Sequence, residues 1–188
     1  IWAAMPHVQI HSLHGEYQIY YRRFPETESG PLNDRPQVML LMGLGGTHGL
    51  WRFQFEYLQQ FCQVCAVDNR GTGYSGYPPG EIRWTTQRMA QDALAVLDDL
   101  KWQKVHIIGI SMGGMIAQEL AISVPERVAS LALLATYSSA LYALPSTAAL
   151  IDLARSTGLL TRDLREQGKA SMRLNFPDAW LDGRRSSE

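Results

Sequence analysis

The chain has 188 residues, enough for one domain with a sizeable core. Hydrophobic residues make up 46% of it, which excludes a disordered chain. With 17 Lys and Arg against 18 Asp and Glu the net charge is −1, so nothing calls for nucleic acid or an anionic membrane as partner.

Residues 8–11 and 17–22 alternate apolar with polar and are predicted as paired strands around a turn at His14 and Gly15. Residues 26–35 carry Gly30, Pro31, Asn33 and Asp34, the composition of a loop. Residues 38–42 form a short apolar run, as in a strand buried on both faces of a parallel sheet. The spacing of Trp51, Phe55 and Leu58 predicts a helix over 50–61, and 64–67 is a second buried strand. The clearest helix is 85–100, where Met89, Ala93, Val96, Leu97 and Leu100 lie on one stripe. A third buried strand is expected at 105–110, a helix at 112–123 stopped by Pro125, and a fourth strand at 131–135. This alternation predicts an α/β fold, a mostly parallel sheet with helices on both faces. Beyond Tyr137 it stops: 141–181 reads as helices only, with breaks near Pro145, Gly158 and Pro177, before a polar tail.

Gly109-Ile110-Ser111-Met112-Gly113 places a serine between two glycines, after a predicted strand and before a predicted helix. A nucleophilic serine on so sharp a turn needs glycines at 109 and 113, because side chains there would collide; Gly114 gives the helix room to approach the sheet. The helix start directs unpaired N–H groups and a positive dipole end toward a developing anion, so the Met112 N–H is one expected oxyanion donor. A second is expected from the loop after the first buried strand, Gly43-Leu44-Gly45-Gly46-Thr47, whose glycines let backbone approach a reacting carbonyl; the Leu44 N–H is the candidate. Without a following GKS or GKT, this loop is not a P-loop.

Two other motifs carry less. Gly71-Thr-Gly-Tyr-Ser-Gly76 matches the dinucleotide fingerprint, but Pro78, Pro79 and Gly80 forbid the helix that a pyrophosphate site needs. Cys62 and Cys65 are the only cysteines, at the start of a strand-like run and with no histidine near to complete a zinc set. They read as buried, reduced thiols, which points to a reducing compartment, the cytoplasm. No apolar stretch approaches the roughly 20 residues of a membrane span.

Together these residues resemble the α/β-hydrolase superfamily. The likeness rests on MGLGGT at 42–47, DNRGTGYSG at 68–76, RMAQDALAVLDDL at 88–100, and IIGISMGGMIAQELA followed by PERVASLALLAT. The resemblance implies Ser111 as nucleophile, with Met112 and Leu44 as oxyanion donors. It also implies that Asp68, Arg70, Gly71, Gly73 and Ser75 form a structural loop bordering the site. On this reading 1–137 is the amino-terminal part of the hydrolase core, 138–182 part of a helical cap, and 183–188 a tail. The family's histidine-glycine before the oxyanion residue is Met42-Gly43 here.

The family orders its triad serine, acid, histidine. All five histidines, at 7, 11, 14, 48 and 106, precede Ser111, and 135–139 carries no carboxylate. His48 falls on the same rim of the sheet as Ser111 and is expected to line the pocket; as a base it would need an orienting carboxylate, and none is adjacent in the sequence. His106, at a strand start, is expected to be structural. The last two strands of the family fold, and with them the acid and the histidine, are therefore expected to be missing. The chain reads as a carboxy-terminally truncated fragment, catalytically incomplete alone, with the strand at 131–135 left as a bare apolar edge. The expected function is a serine hydrolase, esterase- or lipase-like, acting on a carboxylic ester or related acyl bond without metal or organic cofactor. Leu141, Leu144, Leu150, Leu153 and Leu159 suggest a small apolar substrate. The alternative is a non-catalytic ligand-binding or interaction protein on the same fold.

Overall fold

The computed structural model describes residues 6–12, 15–24, 35–81, 84–138, 147–156 and 159–175. By its internal contacts the chain divides into two compact units, Ile1–Ser138 and Ser139–Glu188. The predicted breaks at Pro145, Gly158 and Pro177, the loop at 26–34 and the tail at 183–188 lie outside the described residues.

The first unit is built on six strands: β1 (His7–Ser12), β2 (Gly15–Phe24), β3 (Gln37–Leu41), β4 (Gln63–Val67), β5 (Val105–Ile110) and β6 (Val128–Leu134). Their spatial order is β1-β2-β4-β3-β5-β6. The β1–β2 hairpin pairs Val8 with Ile19 and joins the sheet antiparallel, Tyr21 opposite Val67. From β4 onward all pairings are parallel, with Leu41 opposite Val67 on one side and Gly109 on the other. The wholly apolar runs predicted as buried strands therefore occupy the parallel part, and the alternating runs form the antiparallel margin.

Three helices cover the two faces. A 3-10 turn at His48–Trp51 leads into α1 (Arg52–Leu58), shorter than the predicted 50–61. The helices α2 (Thr86–Asp99) and α3 (Met112–Ser123) follow, and the Thr85 hydroxyl caps α2 by accepting the Arg88 N–H at 3.2 Å. Strand alternation splits the core between the faces. Met39 and Leu41 join Val96, Leu97, Ile116 and Leu120 of α2 and α3 on one side. Val38 and Leu40 join Trp51 and Phe55 on the other. The two cysteines are free thiols; Cys65 is buried, while Cys62 is half-buried, less enclosed than expected. Burial pushes the Cys65 thiol pKa far up, with a smaller opposing pull from Arg23, so it stays protonated and unreactive.

The sixth strand begins three residues earlier than predicted and ends one earlier. Its residues beyond Val128 are exposed, Leu133 by 44% and Leu134 by 45%. In the second unit, α4 (Thr147–Ser156) and α5 (Leu164–Asn175) are helical as predicted. The Asp163 carboxylate accepts the Arg165 N–H at 2.8 Å at the start of α5. Leu150 and Leu159 are exposed, whereas Leu141, Leu144 and the Leu153 side chain lie outside the described residues.

Candidate active site

Between the last residue of β5 and the first of α3 stands Ser111 alone, with φ 53° and ψ −122°. Residues with a side chain rarely adopt that backbone region, and they persist there only when the surroundings over-determine them. Four hydrogen bonds do so here. The Ser111 N–H donates to the Leu134 carbonyl at 2.9 Å. The Ser111 carbonyl accepts from the N–H groups of Gly114 (3.0 Å) and Met115 (3.3 Å) and from the Thr136 hydroxyl (2.7 Å). The Ser111 side chain itself is exposed.

The glycines around it are spaces that a methyl group would fill. A Cβ on Gly109 would lie 2.5 Å from the Gly113 carbonyl oxygen and 2.7 Å from the Gly114 Cα. A Cβ on Gly113 would run into the Leu41 carbonyl, and one on Gly114 would stand 2.6 Å from the Thr136 Cβ. The start of α3 can thus rest directly on the ends of β3, β5 and β6.

Across β3, the loop at 43–47 brings backbone up to the serine. A Cβ on Gly43 would lie 3.1 Å from the Ser111 Cβ and 3.6 Å from its Oγ. The loop turns through a Gly46 N–H bond to the Gly43 carbonyl at 3.1 Å, with Gly45 at φ 71°. Among the described residues, neither the Leu44 N–H nor the Met112 N–H meets an acceptor. Free amides are what an oxyanion requires, and the positive end of α3 lies at the same place.

His48 has no carboxylate beside it in the sequence, but the fold brings one to it. Its Nδ1 lies 2.9 Å from Asp68 Oδ1, and its backbone N–H donates to the same oxygen at 2.6 Å. The two residues are 20 apart in sequence, so adjacency along the chain could not reveal them. Asp68 follows β4 and Ser111 follows β5, on opposite sides of β3, roughly 9–10 Å apart by strand spacing. The imidazole packs toward β2, its centroid 4.9 Å from Tyr20 and 6.0 Å from Tyr74. His106, expected to be structural, shares a 2.8 Å contact with the Ser130 hydroxyl across β5 and β6.

Arg70 is 4% exposed and held by its own network. Its Nε and Nη2 donate to Asp92 at 2.7 and 2.9 Å, Nη2 also donates to the Tyr17 hydroxyl (2.9 Å), and Nη1 reaches Glu81 (3.2 Å). Burial pushes the Asp92 pKa up, and the hydrogen bonds from Arg70 and Tyr17 pull it back only in part. Burial also acts to lower the Arg70 pKa, but its bonds to Asp92 and Tyr17 outweigh that and leave it raised. This network knits the β1–β2 hairpin to α2 and contains no part of the turn at Ser111. The GxGxxG glycines lie in the loop before α2, as the following prolines implied.

Comparison with known proteins gives four further findings. The sequence profile of the α/β hydrolase fold matches residues 36–173. A provisionally named carbamate hydrolase, RutD, of Caulobacter vibrioides is 39% identical over 108 residues, covering 56% of this chain and 39% of that protein. The 3-oxoadipate enol-lactonase 2 of Acinetobacter baylyi is 32% identical over 148 residues, covering 79% of this chain and 51% of that protein. Among solved structures, a hydrolase from Pseudomonas aeruginosa PA01 superposes with a TM-score of 0.72 at 28% identity, covering 99% of this chain and 64% of that one. The chain spans about half or less of the curated relatives it matches.

Proposed function

The chain belongs to the α/β hydrolase fold family, and from that membership we propose that it carries the nucleophile and oxyanion hole of a serine hydrolase acting on a carboxylic ester or related acyl bond. The observation that carries this reading is the exposed Ser111 at positive φ, with the backbone of Gly43 against its side chain and the Leu44 and Met112 N–H groups free nearby. The Ser111 Oγ adds to the acyl carbon while its proton passes to a base. The carbonyl oxygen becomes an anion held by the two N–H groups. Collapse expels the alcohol, and water releases the acid from the acyl-serine in the same way.

Among the described residues the imidazoles of His48 and His106 bond to Asp68 and Ser130, and no histidine follows Ser111 in the sequence. The chain by itself is therefore proposed as an acyl acceptor of low efficiency. It retains the roughly 10³–10⁴-fold advantage over water that an oxyanion hole gives without a triad. The substrate proposed is a small apolar ester or acyl compound, since the Leu44 side chain beside the site is 67% exposed. The names of the relatives, enol-lactonase and carbamate hydrolase, point to acyl carbonyls that the same geometry can attack.

A fluorophosphonate probe tests the reading. Slow labelling of the folded chain that is lost in Ser111→Ala supports it. Labelling that persists in Ser111→Ala, or none on folded protein at any probe concentration, favours a non-catalytic binding role.

A further inference from the structure

The loop bearing the Leu44 amide is tied at both ends to two consecutive buried residues, Asp68 and Asn69, 0% and 4% exposed. At the near end, the Asn69 side-chain amide donates to the Met42 carbonyl at 2.9 Å. That carbonyl immediately precedes Gly43, and the start of α3 closes on it from the other side at Gly113. At the far end, Asp68 Oδ1 accepts both the His48 N–H at 2.6 Å and the His48 ring nitrogen at 2.9 Å. The second carboxylate oxygen accepts the Tyr74 N–H at 3.1 Å, and a Cβ at Gly73 would collide with it, so the carboxylate is gripped from both sides. Between the two ties only 43–47 is left to span, with its own internal turn from Gly46 to Gly43.

From this geometry, and resting on the reading of Ser111 as nucleophile, we propose that Asp68 and Asn69 are positioning residues that hold the 43–47 loop so that the Leu44 N–H faces the oxyanion. They touch no reacting atom. A buried carboxylate with three donors is an expensive arrangement merely to close a loop, and capping N–H groups that would otherwise hold no partner gives it a purpose. The His48–Asp68 pair, which resembles two thirds of a triad, acts on this account through the backbone N–H of His48 and not as a base.

The test uses the full chain and p-nitrophenyl acetate, following acylation against ester concentration and amide hydrogen exchange together. In Asp68→Ala the limiting acylation rate should fall about tenfold to a hundredfold with the half-saturating ester concentration unchanged, as expected for a misplaced transition-state donor. Exchange at Leu44 and Gly45 should speed up by at least about tenfold, while Met112 and Gly113 should not change. Asp68→Asn keeps an acceptor for the His48 N–H and should recover most of the rate. Asn69→Ala, which removes only the near tie, carries the same prediction if Asp68→Ala does not fold. Acylation lost in Ser111→Ala but unchanged in Asp68→Ala and Asn69→Ala overturns the clamp alone, as does faster loop exchange with an unchanged rate. Acylation unaffected by Ser111→Ala overturns the reading of the nucleophile and the clamp's role with it.

Discussion

The middle of the sheet and its β6 margin are built from nearly the same residues and differ in everything else. In β3 and β4 the apolar side chains are enclosed from both faces; Met39, Leu40, Leu41 and Val64 are all 0% exposed. In β6 the run Val-Ala-Ser-Leu-Ala-Leu-Leu pairs with β5 along one edge, yet Leu131, Leu133 and Leu134 are 36–45% exposed. A uniformly apolar strand is a sequence suited to burial on both faces. Here it supplies hydrogen bonds without enclosure: the Leu134 carbonyl at its end and the Thr136 hydroxyl two residues beyond hold Ser111, although the strand's own side chains are uncovered. Apolar composition reports what a strand is suited to, and only packing reports whether that suitability is met.

If the middle is over-determined and the margin is not, substitutions should separate them sharply. The largest effect is expected at Gly113. A Val there meets the Leu41 carbonyl and has no flexible side chain to displace, so Gly113→Val should cost more than about 4 kcal/mol and abolish a cooperative urea transition. Next is Asp92→Asn, which removes the nearer counter-charge of buried Arg70 and leaves only Glu81 at 3.2 Å; a loss of about 2 kcal/mol is expected from the same titration.

A smaller effect tests the hairpin that borders the middle. The Tyr21 hydroxyl donates to Asp99 at 2.5 Å, and burial first, then Asp99, pushes its pKa well above the usual value. A pKa raised by folding means stability that is full below the ordinary tyrosine value of about 10 and lost as pH climbs toward the folded value. Tyr21→Phe should therefore cost about 1 kcal/mol at neutral pH. That gap should close in melts taken above pH about 10; a gap constant with pH contradicts the bond's role. Smallest in stability is Leu133→Lys on the β6 margin, expected within about 0.5 kcal/mol of the parent. Light scattering should nevertheless show less self-association, because a charge on an open strand edge discourages pairing with another chain. A loss as large as that of Asp92→Asn would show the margin to be enclosed after all.

Local patterns made most of the fold legible. Glycine spacing around Ser111 and the apolar run before it located the turn, because the constraint there is steric and lies within five residues. The strands and α2 followed from periodicities that burial imposes. What escaped was non-local. Nothing in the sequence pairs His48 with Asp68, Asn69 with Met42 or Thr136 with the Ser111 carbonyl, because those partners meet only once β4, β3, β5 and β6 lie side by side. The DNRGTGYSG segment was visible as a motif; that its first two residues reach back to the ends of the glycine loop was not. The end of α1 also escaped, since exposed Tyr57 and Phe61 mimic a continuing apolar stripe.

The most direct test of Ser111 as the acyl acceptor is a peptide map of the intact chain after brief exposure to p-nitrophenyl acetate. The account predicts that mass spectrometry finds the acetyl group predominantly on the peptide containing Ser111, in preference to the other serines and the lysines. Acetylation spread over lysines and other hydroxyls, with Ser111 unmodified, would contradict it.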